Sequence, residues 1–185
     1  MYFSIKVINT LIRFSMNSYI LKIFLYETEP QVWRRVSVPE TATFSDLHQV
    51  IQKAMGWNDE QAHQFRHGKG RHLKQVIANT NEQVGPGDEF TDEKDITLGQ
   101  FAGRRKLPVR LMYRYDFFDD WTHELVIEEK KEGENTLKML GGERACPPED
   151  CGGSFGYKEC LAGYAEWMDD DYDPEVFDAG SVQLG

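Results

Sequence analysis

Cysteine is scarce: three residues stand in a chain of 185, at positions 146, 151 and 160. The number is odd and the spacing gives no secreted disulfide framework, which points to reduced thiols and a cytoplasmic address. Basic residues are outnumbered, 21 against 31 acidic, for a formal charge of -10. That excess repels nucleic-acid phosphates at long range, so only local basic patches could make contacts and direct nucleic-acid binding is disfavoured. Long apolar runs are also missing. Lys6, Asn9, Arg13, Asn17 and Lys22 interrupt the apolar residues of 1–26. The interruptions are too frequent for a membrane span of about 20 residues, and no small-residue cleavage site follows. Neither a serine elbow nor a phosphate-cradling glycine loop occurs. No internal repeat or domain boundary is seen.

What is present suits one α+β domain, because 40% hydrophobic and 12% aromatic residues supply a core at this length. Residues 19–26 form a strand apolar on both faces, and 32–38 alternate after the turn signal Glu27-Thr28-Glu29-Pro30. These make one hairpin. Thr43 and Asp46 have capping-box spacing ahead of a helix that buries Phe44, Leu47, Ile51, Ala54 and Met55 and stops at Gly56. Short strands are expected at 63–66 and 72–78 around Gly68-Lys69-Gly70, then a loop over 85–95 and a helical turn at 98–101. Residues 109–116 and 121–128 alternate around Asp116-Phe117-Phe118-Asp119-Asp120 and form a second hairpin. A polar loop at 130–135 and a Gly- and Pro-rich stretch at 141–156 lead to a helix carrying Tyr157, Cys160, Leu161, Tyr164 and Trp167. The acidic run 169–173 follows, and Pro174 stops continuation. The expected fold is a single domain with an antiparallel-rich mixed sheet, built from two hairpins and packed with two main helices.

Two segments hold more chemistry than chain reversal needs. Asp116, Asp119 and Asp120 crowd a turn, with Trp121 and His123 just beyond, an oxygen-plus-imidazole set that suits a divalent metal. The same aspartates are good turn residues that cap free backbone N–H groups. Cys146 and Cys151 could join His123 and a carboxylate around zinc, although their spacing exceeds that of a zinc knuckle and there is one such pair. Alternatively Pro147-Pro148 stiffens an ordered loop, Glu149 and Asp150 cap the next turn, and Gly152-Gly153 supplies unusual backbone angles. A nucleophilic pairing of Cys146 or Cys151 with His123 or His48 is a further arrangement, whereas His48 in its bland role is a helix boundary residue and Cys160 a core residue. Arg66 to Lys74 and Arg104-Arg105-Lys106 are basic runs that suit solvated loops or phosphate contacts. Trp33, Trp57, Trp121 and Trp167 suit core and hairpin-clamp positions.

Taken together, several stretches resemble the plasmid pRiA4b ORF-3-like family. They are Tyr19-Ile-Leu-Lys-Ile23, Pro30-Gln-Val-Trp-Arg-Arg35 with Val38-Pro39, Thr43-Phe-Ser-Asp-Leu-His48, and Ile51-Gln-Lys-Ala-Met-Gly-Trp57. Tyr113-Arg-Tyr-Asp-Phe-Phe-Asp-Asp-Trp-Thr-His123, Cys146-Pro-Pro-Glu-Asp-Cys-Gly-Gly153 with Gly156-Tyr157, and Asp173-Pro-Glu-Val-Phe-Asp178 complete the match. The resemblance implies one family domain over 19–178, with an extension at 1–17 in which Met16 offers an alternative start, and a tail at 179–185. It brings no activity, and its plasmid and insertion-element members imply a link to mobile DNA. Phe118 departs from the pattern, which has glycine there; if that glycine takes positive φ, the turn here must differ or carry strain. The expected function is a binding or interaction module for a protein or small-molecule partner. Its expected surface joins Asp116, Asp119, Asp120, Trp121 and His123 to Glu149 and Asp150. The alternative is a metal-dependent, hydrolase-like enzyme on the same surface, with Asp116, Asp119, His123, Cys146 and Cys151 as ligand candidates and a divalent metal as cofactor.

Overall fold

A computed structural model describes residues 17–68, 75–81, 84–163 and 172–185. Residues 1–16 of the extension, positions 69–74 of the 66–74 basic run, Tyr164, Trp167 and most of the acidic run lie outside the described residues. The strands are β1 (Ser18–Leu25), β2 (Trp33–Pro39), β3 (His63–His67), β4 (Gln75–Ala78), β5 (Glu89–Asp92), β6 (Val109–Tyr115), β7 (Trp121–Lys131) and β8 (Lys138–Glu143). The helices are α1 (Phe44–Met55), α2 (Leu98–Ala102) and α3 (Gly153–Leu161). One sheet runs β5-β4-β3-β6-β7-β1-β2-β8, antiparallel throughout except for the β4–β5 pair. The fold is therefore a single α+β unit with a mixed, mainly antiparallel sheet. Among the described residues no helix is long and apolar enough to cross a membrane.

The two expected hairpins, β1–β2 and β6–β7, form the middle of the sheet and pair with each other through β1 and β7. Strand parity decides their faces. Tyr19, Leu21, Ile23 and Leu25 are buried beside Val36, Val38, Leu111, Tyr113, Leu125 and Ile127. On the other face Arg35 makes a bidentate pair with Glu128 at 2.9 and 2.8 Å, Arg110 pairs with Glu124 at 2.7 Å, and Lys22 lies over the Phe24 and Trp33 rings. Such exposed pairs contribute up to about 1 kcal/mol each. The second face of β1 is thus only partly covered: Ile20 is buried but Lys22 and Phe24 are half-exposed.

Helix α1 carries the expected capping box between Thr43 and Asp46, and Gly56 closes it at φ 81. The left-handed angle suits glycine, which has no Cβ to clash. Phe44 meets Phe65 and Phe101 edge-on at 5.0 and 5.1 Å, fastening α1 to β3 and α2. Arg34, 1% exposed, donates from Nε to the Ala54 carbonyl at 2.9 Å and from Nη1 to the Trp33 and Glu143 carbonyls at 2.8 and 3.0 Å. Its guanidinium also lies 3.7 Å from the Phe177 ring centroid, so one buried cation ties α1, β2, β8 and the C-terminal segment together.

Three expectations at the margins change. The 85–95 loop contains β5, which pairs with β4 at the sheet edge. The glycine-rich stretch begins with β8, because Gly141 and Gly142 lie in a strand against β2. A Cβ on Gly142 would press on Phe177 and Arg34, so glycine is required there by close approach. The 179–185 segment packs Leu184 into the core, and its carbonyl accepts from Lys53 Nζ at 3.1 Å.

Candidate functional site

The β6–β7 turn is built by its own aspartates. Asp116 Oδ1 accepts from Phe118 N at 2.9 Å and from Asp119 N at 3.3 Å. Asp116 and Asp120 bracket the turn with φ of 52 and 55, a region that aspartate enters more readily than bulkier residues. Phe118 has no positive φ; the unusual angles fall on the aspartates, and the phenyl ring is 96% exposed. Asp119 Oδ2 accepts from Gly152 N at 2.9 Å and Gly153 N at 3.0 Å, capping α3 from outside its own chain segment. Asp120 pairs with Arg114.

The 146–153 loop is held by four further hydrogen bonds. Trp57 Nε1 donates to the Pro147 carbonyl at 2.9 Å, and Trp121 Nε1 to the Glu149 carbonyl at 2.9 Å. The Glu149 carboxylate accepts from Asn58 N at 2.7 Å and from the Tyr115 hydroxyl. The structure therefore brings Asp119, Trp121 and Glu149 together, with Asp120 and Asp150 exposed at the edges. His123 goes elsewhere. It is fully buried between Trp57 and Tyr113, and neither ring nitrogen meets a hydrogen-bond partner. Burial lowers its pKa to about 3, an effect that the nearby backbone of Tyr113 and Trp121 offsets only in part.

The proposed ligand set Asp116, Asp119, His123, Cys146 and Cys151 supplies no group of three donors within 4.8 Å of one another. The physical reasons differ by residue. Asp116 and Asp119 each commit one oxygen to two backbone N–H groups, His123 lies in the core, and burial pushes the Cys146 and Cys151 thiols up to about 12. At that value neither cysteine is a thiolate near neutral pH, which also weakens the nucleophile arrangement.

A second cluster lies beneath α1, and here the sequence reading missed most of the residues. His48 and His63 stack with ring centroids 3.5 Å apart and planes 4° apart. His48 Nε2 is 2.6 Å from Asp59 Oδ1, and His63 Nε2 is 2.7 Å from Glu93 Oε2. Gln52 Nε2 donates to the Tyr113 hydroxyl at 2.9 Å, and that hydroxyl is 2.8 Å from His48 Nδ1. Gln49 Nε2 donates to Asp59 Oδ2 at 2.7 Å. Burial and the neighbouring His63 lower the His48 pKa against the pull of Asp59. Burial raises the Glu93 pKa, but the hydrogen bond and charge of His63 more than reverse this, so the net shift is down. Periodicity could have found both histidines: 44, 48, 51 and 55 share a helical face, and 63 has the inward parity of Phe65.

On the far half of the sheet, Arg66, His67, Arg105, Lys106 and Arg110 border an open groove of about 820 Å³. Much of its positive charge is paired internally: Arg66 meets Asp88, Arg110 meets Glu124, and Arg105 lies over Phe101.

Two outcomes follow from this geometry. Asp119→Ala should cost about 1–2 kcal/mol by uncapping α3, whereas Asp120→Asn, which tolerates the same positive φ and loses only a pair with the half-exposed Arg114, should cost well under about 1 kcal/mol; chemical denaturation of the two variants measures the difference. His123 is neutral when folded and has its ordinary pKa of 6.5 when unfolded. The unfolded chain alone therefore takes up this proton between pH 6.5 and about 3, and stability falls as pH drops through that window, by roughly 1.4 kcal/mol per pH unit from this group. In His123→Phe the stability slope between about pH 6 and 4 should be shallower by one proton; identical slopes would count against the neutral buried imidazole.

The comparisons agree with the fold and with the resemblance. A relative in Sinorhizobium fredii (strain NBRC 101917 / NGR234), "Uncharacterized protein y4hQ", is 36% identical over 155 residues, covering 79% of this chain and 72% of the relative. The crystal structure of a protein of unknown function, MM3350 from Methanosarcina mazei Go1, superposes with a TM-score of 0.76 at 34% identity, covering 90% of this chain and 97% of that one. The profile of the family described as "Plasmid pRiA4b ORF-3-like protein" matches residues 17–181. The chain belongs to the plasmid pRiA4b ORF-3-like family.

Proposed function

We propose that this chain is a binding module whose working surface is the end of the sheet where the β1–β2 turn, the β6–β7 turn and the start of α3 meet. The single observation behind this reading is that two large aromatic side chains project there from hydrogen-bonded supports: Phe118 is 96% exposed and Phe155 72%. Asp119 links the two supports through Gly152 and Gly153, and Ser154 Oγ, 2.8 Å from Glu27 Oε2, adds the third. Exposed apolar groups on rigid loops are the usual anchors of protein recognition. Around them Glu27, Asp120 and Asp150 are exposed carboxylates, and a shallow cavity of about 210 Å³ opens between Tyr26, Asp119, Trp121 and Ser154. The partner suited to this chemistry is a protein segment with bulky apolar and basic side chains.

A hydrolase on the same surface has less support, because Asp116 and Asp119 each already commit an oxygen to backbone amides and its imidazole, His123, is interior. The family description names a plasmid reading frame, which is compatible with carriage on mobile DNA and specifies no partner.

Selection of displayed peptides on the wild-type chain, with counter-selection on the double variant Phe118→Ser, Phe155→Ser, tests the reading. The expected peptides combine an aromatic or aliphatic anchor with Lys or Arg and lose at least about tenfold in affinity for the double variant. Peptides that bind both proteins equally, or no selectable binder, would contradict it.

A further inference from the structure

His48, His63 and Asp59 under α1 each have one donor held by a neighbour, and because the two rings stack in parallel a shared ion requires them to turn out of the stack toward Asp59. His48, Asp59 and His63 each present a donor atom within 4.8 Å of the other two. The supporting contacts are specific. Tyr113, itself fully buried and engaged by Gln52, fixes His48 at Nδ1 and leaves Nε2 facing Asp59. Gln49 occupies Asp59 Oδ2, which leaves Oδ1 toward His48. Glu93, 3% exposed, holds His63 at Nε2. A hydrogen bond from a neighbouring group to each ligand is the usual support of a metal site, and carboxylate–imidazole pairing is its commonest form.

Backbone geometry adds to this. Asp59 takes φ of 61, and its N–H donates to Gln52 Oε1 at 3.2 Å, so the carboxylate is delivered by a constrained turn. Both imidazoles are buried, whereas Asp59 is exposed; the group is closed on the protein side and open on one side to solvent. Two carboxylates beside two imidazoles also offer the charge that balances a dication.

We propose that His48, Asp59 and His63 bind a divalent first-row transition ion of the zinc class, with Glu93 and Tyr113 as positioning residues. Two nitrogens and one carboxylate oxygen form a donor set that suits zinc and its neighbours, and a three-ligand set leaves a coordination position for water or a small anionic ligand on the Asp59 side. Thiolates take no part. The inference does not depend on the aromatic surface, since Phe118 and Phe155 contribute nothing to it.

Full-length protein without a polyhistidine tag, stripped with chelator, is titrated with Co²⁺ and then with Zn²⁺ in competition. One equivalent should bind, with cobalt absorption bands of a nitrogen and oxygen site and a rise in melting temperature. Asp59→Asn, at the exposed edge, should keep the wild-type circular dichroism spectrum and bind at least about tenfold more weakly, and His63→Gln about a hundredfold more weakly. Glu128→Gln on the outer face should bind as wild type. Absence of one-to-one saturation, or wild-type affinity in Asp59→Asn, would overturn the proposal.

Discussion

The Tyr115–Glu149 hydrogen bond is the contact through which the two halves of the candidate chemistry depend on each other. The Tyr115 hydroxyl donates to the Glu149 carboxylate and accepts from Glu60 N at 3.0 Å and Gln61 N at 3.2 Å. Glu149 in turn accepts from Asn58 N. Burial together with the hydrogen bond to Glu149 raises the tyrosine pKa, so the hydroxyl stays protonated and able to donate. A neutral donor against an ionised carboxylate is the stronger class of hydrogen bond. Through it the 146–153 loop and the 57–61 segment share one anchor on β6. The loop side meets Asp119 of the β6–β7 turn through Gly152 and Gly153, and the segment side delivers Asp59 to His48.

That arrangement separates polar residues by use. At the β6–β7 turn and the 146–153 loop, carboxylates mostly organise backbone: Asp116 shapes its turn, Asp119 caps α3, and Glu149 secures residue 58. Inside, hydrogen bonds organise side chains, from Gln52 to Tyr113, between Tyr113 and His48, and between His63 and Glu93. Buried polar groups must be paired or they cost several kcal/mol each. A hydrogen-bonded cluster held between a helix and a sheet is correspondingly stiff. His123 is one of the exceptions, a buried imidazole packed between aromatic rings with no hydrogen-bond partner at either nitrogen.

Much of this fold is legible in the chain because its central elements have strong local signatures. The dense β-formers of 19–26, the alternation over 109–115, the Thr43–Asp46 cap and the Gly56 stop each specify backbone locally, and the structure keeps each element, although the second face of β1 is only partly covered. Strand β5 was hidden because it is only four residues long, is bounded by Glu89 and Asp92, and pairs only at the sheet edge. Strand β8 was hidden by Gly141 and Gly142, whose role depends on the distant Phe177 and Arg34. The proximity of the turn at 116–121 to the loop at 146–153 could be suspected from their shared excess of carboxylates and glycines. His48, Asp59, His63 and Glu93 could not be joined in the same way, since they come from a helix, a turn, a strand and an edge loop and meet only through tertiary packing.

The claim with most at stake is that the interior cluster, rather than the acidic turn, is where this fold holds an ion. Crystals grown with zinc and measured on both sides of its absorption edge locate the ion without reference to activity. The account predicts one dominant anomalous peak between His48, Asp59 and His63, at about 2.0–2.2 Å from their donor atoms. A dominant peak at Asp116, Asp119 or the Cys146–Cys151 loop, or none at the histidine pair, would contradict it.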